Sequence, residues 1–103
     1  MIKLSVLYPN NDGNKFDMNY YCNMHIRMVQ GKLGTACKGA AVEQGVSGAT
    51  PGSRPAFVAM GHLYFDSVAD FQAAFSPHDG TIMADIPNYT DIQPTIQISE
   101  VKI

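Results

Sequence analysis

Residues 56–65 are apolar on both of the faces that a β-strand presents to its surroundings. Successive side chains of a strand point to opposite sides of the sheet. One side would carry Phe57, Ala59, Gly61, Leu63 and Phe65, and the other would carry Val58, Met60, His62 and Tyr64. A strand face in contact with water is usually polar. The chain must therefore fold so that both sides of this strand are covered.

The rest of the chain alternates strand patterns with helix patterns. Period-two spacing of apolar residues predicts three further strands, at residues 2–8, 37–46 and 93–103. Spacing of three and four predicts helices at residues 17–33 and 67–75, followed by a short helical segment at 77–86. The order strand, helix, strand, strand, helix, strand predicts an α+β, ferredoxin-like βαββαβ fold. In that fold a four-stranded antiparallel sheet carries two helices on one face.

This fold leaves one sheet face open, which predicts assembly. Four strands about 5 Å apart and roughly 20–30 Å long leave an uncovered face of about 400 Å² or more. The last strand is also expected to be apolar on both faces, with Ile96 and Ile98 on one side, Val101 and Ile103 on the other, and a bulge near Ser99. Apolar patches of this size usually mark an interface. We therefore expect a homodimer that joins its sheet faces into a shared barrel.

The first predicted helix places a histidine on the face that should be buried. Asp17 is a good N-cap residue, because its carboxylate can accept hydrogen bonds from the first free amides. The apolar face then runs through Met18, Tyr21, Cys22, His25, Met28, Val29 and Leu33. An unpaired buried polar group costs about 1–3 kcal/mol. His25 is therefore either a satisfied core residue or part of a functional site.

Composition excludes several classes of function. The 103 residues suit a single domain spanning 1–103, and the formal charge is −2 with seven scattered basic residues. A nucleic-acid partner is not expected, because its binding needs clustered positive charge. No apolar run is long enough to span a bilayer, and no signal peptide precedes the first strand, so we expect a cytoplasmic protein. There Cys22 and Cys37 should be free thiols, with Cys22 a small hydrophobe or, alternatively, a nucleophile paired with His25.

Several motifs follow one another in a fixed order along nearly the whole chain. They are Tyr8-Pro9-Asn10, Phe16-Asp17 with Tyr20-Tyr21 and His25, Gly61-His62-Leu63-Tyr64-Phe65-Asp66-Ser67, Phe71-Gln72-Ala73-Ala74-Phe75, Ile86-Pro87-Asn88-Tyr89-Thr90 and Ile96-Gln97-Ile98-Ser99-Glu100. In this order they resemble the EthD family, within the dimeric α/β-barrel superfamily. Members typically have proline two residues after the helical histidine, where this chain has Arg27. We therefore expect a straighter helix and a shifted imidazole here.

The resemblance implies chemistry in a cleft between the sheet and the helices. The namesake of the family belongs to a bacterial gene cluster that degrades a fuel ether. Related barrels include cofactor-free monooxygenases of polycyclic phenols, lactone isomerases and haem-containing peroxidases. The expected function is an accessory oxidoreductase, or a cofactor-independent oxygenase, in the degradation of a small organic compound. The alternative is a non-catalytic carrier or sensor of a small hydrophobic ligand.

The candidate site residues follow from these patterns. Imidazole titrates near pH 6.5, so His25 is the candidate general base, with Tyr21 one turn earlier and His62 as further catalytic candidates. His62 points either toward the helices, where it would pair with His25, or toward a partner subunit. The expected pocket walls are Tyr8, Cys22, Asp85 and Tyr89, and Asp85 either orients a histidine or faces water.

No cofactor is expected from the sequence. The histidines lack metal-ligand spacing, and no glycine-rich loop connects a strand to a helix in the way that a phosphate site requires. Haem bound by a lone histidine stays open as an alternative.

Overall fold

The computed structural model describes residues 1–103. Its strands are β1 (Ile2–Pro9), β2 (Gly39–Gln44), β3 (Phe57–Phe65) and β4 (Thr95–Glu100). Its α-helices are α1 (Met18–Tyr20), α2 (Ile26–Leu33), α3 (Val68–Phe75) and α4 (Asp79–Asp85), with 3₁₀ turns at Gly34–Ala36, Ser76–His78 and Ile86–Asn88. The predicted order of elements is therefore confirmed, although β2 is shorter than residues 37–46.

The four strands form one antiparallel sheet in the order β2-β3-β1-β4. The helices cover a single face of it, where Leu4 of β1 and Leu63 of β3 pack against Val29 of α2 and Ile82 of α4. This is the predicted α+β, ferredoxin-like fold. The strand that is apolar on both sides, β3, lies inside the sheet between β1 and β2, as its composition requires.

The first helix begins and ends where the sequence predicts, but its middle is irregular. The Asp17 carboxylate accepts from the amide of Tyr20, and Gly34 ends the helix with a φ of 62°. Between α1 and α2 the five residues Tyr21–His25 form a π-helical turn, in which the amide of Ile26 donates to the carbonyl of Tyr21. Arg27 lies in the regular helix α2, directly after this turn. Such π-helical turns often occur at functional sites.

The last strand differs from the prediction. Residues Thr95–Glu100 pair with β1 without any shift in register, so the bulge expected near Ser99 is absent. Ile96 pairs with Val6 and Ile98 with Leu4, which places both isoleucines on the helix side of the sheet. The open face of β4 therefore carries the polar residues Thr95, Gln97 and Ser99, and Val101 and Ile103 lie beyond the strand. The prediction of two apolar faces was wrong for β4.

Two buried clusters lie between the sheet and the helices. The first is aliphatic and aromatic, with Phe65 fully enclosed. The second contains the buried rings of Tyr8, Tyr21 and Tyr89 together with Ile26 and Ile92. The second cluster lies beside the π-helical turn and forms one end of the candidate site. No helix here combines the length and the apolar character needed to cross a bilayer.

Candidate functional site

A cavity of about 200 Å³ lies between the helix side of the sheet and the helices. Of its 17 lining residues 13 are hydrophobic, so a bound molecule would meet a largely apolar wall. The lining residues are Leu4, Val6, Tyr8, Tyr21, His25, Ile26, Val29, Gly61, Leu63, Phe71, Phe75, Asp79, Ile82, Met83, Ile86, Pro94 and Ile96. Small apolar cavities with a few polar groups are typical ligand sites.

His25 is the imidazole of this cavity, and it is paired with a carboxylate. The π-helical turn presents His25 to the cavity, and the residue is 5% exposed. Its Nδ1 lies 2.9 Å from Oδ2 of Asp85, at the end of α4. A carboxylate that accepts from one imidazole nitrogen fixes the ring orientation and leaves the other nitrogen for chemistry.

Asp85 is itself held in place from two directions. Its second oxygen, Oδ1, accepts from the Tyr20 hydroxyl at 2.7 Å and from the Asn88 amide at 2.9 Å. Burial tends to raise the pKa of this carboxyl, but the hydrogen bonds from Asn88, His25 and Tyr20 outweigh burial and hold the pKa below its usual value. Asp85 is therefore an ionised acceptor at neutral pH.

The protonation of His25 follows from this arrangement. Burial lowers the pKa of His25, and the hydrogen bond and charge of Asp85 only partly oppose that effect. The ring is therefore neutral at pH 7. Because an ionised carboxylate can only accept, the proton is on Nδ1, and Nε2 is left as an acceptor.

Nε2 of His25 is accessible from the cavity. It makes no hydrogen bond within the protein, since Asp85 is the only side chain that His25 pairs with. No fully buried side-chain nitrogen or oxygen lacks a partner, so Nε2 must keep accessible surface. The residue lines the cavity, and Nε2 is therefore a free hydrogen-bond acceptor in an apolar surrounding.

Three tyrosines form the wall beside His25. The hydroxyls of Tyr8 and Tyr89 share a hydrogen bond of 2.7 Å, and the Tyr21 ring stacks on the His25 ring with centroids 5.7 Å apart. Burial is the main cause that raises the pKa of all three hydroxyls, so each stays protonated at neutral pH. The Tyr21 hydroxyl lies close enough to Tyr8 to donate to it, and the same proton can instead be directed at a ligand oxygen in the cavity.

Two backbone contacts bring the distant parts of the site together. Phe16 forms an isolated antiparallel bridge with Thr90, and the amide of Asp17 donates to the carbonyl of Tyr89 at 2.8 Å. These contacts join the start of the first helix to the segment that follows α4. Asp85 and Tyr89 consequently reach His25, although they lie about sixty residues away in the sequence.

The structure unites five of the seven residues predicted for the site. The cavity is lined by Tyr8, Tyr21 and His25. Asp85 and Tyr89 do not line it, but both contact the His25 ring. Cys22 is half-buried on the helix and does not line the cavity.

His62 lies on the opposite, open face of the sheet and forms no pair with His25. Its two ring nitrogens contact Oγ of Ser5 at 2.9 Å and Oε1 of Glu43 at 3.3 Å. The helix-facing alternative for His62 is therefore not the one found in the structure.

Sequence reasoning missed the two residues that orient Asp85. Tyr20 belongs to the Tyr20-Tyr21 pair of the family motif, but its own role was not inferred. Asn88 is three residues after Asp85, within reach of its carboxylate on a helical turn, and that spacing was the available signal. The pocket-lining Asp79 was also missed, since an acidic residue in the first turn of a helix usually faces water.

No group of three or more histidine, cysteine or acidic side chains converges as metal ligands would. A haem macrocycle exceeds the enclosed space of about 200 Å³, so these walls would not enclose a haem.

Replacing Asp85 by asparagine should lower the pKa of His25 further. The substitution removes the negative charge that favours the imidazolium, while the burial that disfavours it remains. An NMR titration of the imidazole resonances measures the change. Asp66→Asn, at an exposed carboxylate paired with Lys38, should leave the pKa of His25 unchanged. A higher His25 pKa in Asp85→Asn would contradict this assignment of charges.

Comparison with known proteins places the chain in a recognisable group. A family model described as EthD domain matches residues 14–93. The crystal structure of an EthD-like protein from Ralstonia eutropha JMP134 is 48% identical, covers 99% of this chain and 92% of that one, and has a TM-score of 0.95. An EthD family protein from Bacillus halodurans C-125 is 21% identical, with 99% of both chains covered and a TM-score of 0.67.

A more distant structure agrees in fold alone. It is described as a dimeric ferredoxin-like protein of unknown function from Thermobifida fusca YX. It is 16% identical, covers 97% of this chain and 90% of that one, and has a TM-score of 0.57. No curated protein matches the chain.

Proposed function

The chain belongs to the EthD domain family, and from that premise we propose that it is a cofactor-independent oxygenase or accessory oxidoreductase that degrades a small organic compound. The observation that carries this proposal is the His25–Asp85 pair, whose free Nε2 faces an apolar cavity. An oriented neutral imidazole in such a place is suited to remove a proton from a weakly acidic substrate.

His25 acts as the general base on a phenol or an enol. Nε2 takes the hydroxyl proton, the resulting imidazolium is stabilised by Asp85, and the Tyr21 hydroxyl donates to the oxyanion. Delocalisation makes a ring or chain carbon of the anion electron-rich enough to react with dioxygen. His62 has no part in this step, because it lies on the other side of the sheet.

The oxygen step balances without an added reductant. A carbanion carbon that keeps one hydrogen adds dioxygen, and the proton on His25 returns to give a hydroperoxide. Loss of water then leaves a carbonyl at that carbon. One oxygen atom stays in the product and the other leaves as water, so the substrate supplies all the electrons. No electron-carrying cofactor is required for this stoichiometry.

The experiment that tests His25 as the general base compares His25→Gln with the unaltered protein. Glutamine keeps hydrogen bonding but is not a base, so binding should change only a few-fold, whereas turnover should fall by about 10²- to 10⁴-fold. Oxygen uptake with a panel of phenols and cyclic 1,3-diketones measures turnover. In the unaltered protein kcat/KM should rise with pH through the lowered pKa of His25 and level off near neutrality, since the base works deprotonated.

His78→Gln is the control, because it makes the same change at a histidine outside the cavity. Equal oxygen uptake by His25→Gln and the unaltered protein would rule out His25 as the general base. Tight binding with no oxygen uptake from any member of the panel would instead favour a carrier of a small hydrophobic ligand.

The same proposal includes a homodimer joined through the open sheet faces. Leu7, Met60 and Tyr64 give that face an apolar centre, with His62 among them. Only 18 of the 103 residues are buried in the isolated chain, a small core for a sheet with one uncovered face. Two such faces in contact would cover β3 on its second side. The unpaired Cys22 and Cys37 are consistent with a location in the cytoplasm.

A further inference from the structure

The charge of the cavity selects against anions. Asp79 is the only acidic residue that lines it, and neither lysine nor arginine does. A carboxylate or phosphate ligand would lose its hydration without gaining a cationic partner, and it would also face the charge of Asp79. A ligand of this cavity therefore enters without a negative charge.

The hydrogen-bonding groups of the cavity select for a donor. With its proton directed at Asp85, His25 offers only the Nε2 lone pair to a ligand. A ligand must supply an O–H or N–H, or it leaves that acceptor unsatisfied in an apolar site. The neighbouring Tyr21 hydroxyl can donate to the same ligand oxygen. A hydroxyl group satisfies both requirements, whereas an ether oxygen can only accept.

The size of the cavity matches a ligand with one ring. An engineered apolar protein cavity of about 150 Å³ binds benzene. The present cavity, of about 200 Å³, accommodates a benzene ring with a small substituent, whereas a fused pair of rings would have to extend through its open side. Its walls beyond the polar groups include the aromatic Phe71 and Phe75 and the flexible Met83, which suit a flat apolar ring.

Together these constraints name a ligand class, and we propose that the cavity binds an uncharged one-ring phenol whose hydroxyl donates to Nε2 of His25 and accepts from Tyr21. The benzene ring lies against the apolar walls. This inference rests on the proposed function for the reaction of the bound phenol, but the selectivity itself is a property of the cavity and is measurable without turnover.

The test is a binding series with four probes at pH 7, measured by NMR chemical-shift titration of the intact protein. Phenol is the reference, anisole lacks the donor, benzoate carries a negative charge, and 1-naphthol adds a second ring. Phenol should bind at least about tenfold more tightly than anisole, because anisole leaves the acceptor unpaired. Benzoate should not saturate, and 1-naphthol should bind at least about tenfold more weakly than phenol.

His25→Leu removes the acceptor and should abolish the preference for phenol over anisole. The series on the unaltered protein decides the matter even if that variant does not fold. Anisole or benzoate binding as tightly as phenol would overturn the donor and charge requirements, and 1-naphthol binding more tightly would overturn the size limit. Failure of all four probes to bind would overturn the inference as a whole.

The two proposals fail in different ways. Selective phenol binding without oxygen uptake from any phenol would remove the oxygenase and leave the ligand class. Oxygen uptake that depends on His25 but shows no preference for phenol over a two-ring substrate would remove the ligand class and leave the oxygenase.

Discussion

The substitution Gly61→Ala is expected to destabilise the protein by about 1–3 kcal/mol, because it would place a methyl group where the Tyr21 hydroxyl already lies. Gly61 is on the helix side of β3, directly beneath that phenol. The Tyr21 ring cannot move aside easily, since it is 2% exposed and packs edge-on against Tyr8 and Phe16. Urea unfolding followed by circular dichroism measures the loss.

A second substitution tests the cause. Tyr21→Phe removes the oxygen that an alanine at position 61 would meet, so the double variant should recover part of the lost stability. Gly39→Ala is the matched control within a strand, because its added methyl group would touch only the Tyr64 ring, at an ordinary 3.6 Å. If Gly61→Ala unfolds at the same urea concentration as the unaltered protein, the close approach of Tyr21 to the sheet is wrong.

The close approach also explains why sequence patterns could not locate this part of the site. A glycine within an otherwise apolar strand gives no sign of which side chain lies above it. The pattern of residues 56–65 did predict that Gly61 shares a side with Leu63 and Phe65, and that is confirmed. The identity of the contacting residue depends on how the helix crosses the sheet, and that is set by packing across the whole layer.

Local chemistry explains what the sequence predicted well. The Asp17 cap and the Gly34 stop depend on residues next to one another in the chain, so the boundaries of the first helix were accessible. The π-helical turn of Tyr21–His25 was not, because helical spacing alone does not distinguish a regular turn from a widened one. The face of β4 was also misassigned, since alternation fixes which residues share a side but not which side is covered.

In the candidate site, too, the residues that are close in the chain were predictable, whereas contacts between distant segments were not. Tyr21 and His25 were found together because they share one helix face at a spacing of four. Asp85 was a candidate without a known partner, and only the three-dimensional path through Thr90 and Tyr89 brings it to His25. Alternation placed His62 with Met60 and Tyr64, but the side of the sheet had to come from the structure.

Met60→Lys is expected to convert the proposed dimer into a monomer. Met60 lies on the open face of β3, between Leu7 of β1 and Glu43 of β2. Pairing two sheet faces would bury a lysine from each subunit near the same apolar surface, where the cost of removing the charge from water is large. Within one chain the lysine lies opposite Glu43, which favours the folded subunit.

Light scattering coupled to size-exclusion chromatography at micromolar concentration measures the mass directly. Val68→Lys is the control, because Val68 is an exposed apolar residue at the start of α3, on the side of the sheet away from the open face. The unaltered protein and Val68→Lys should both have the mass of two chains, and Met60→Lys the mass of one. If the Met60→Lys variant remains dimeric, the interface does not include the open face around Met60. The second apolar side of β3 would then need another cover, since a strand with two apolar faces is stable only when both are shielded from water.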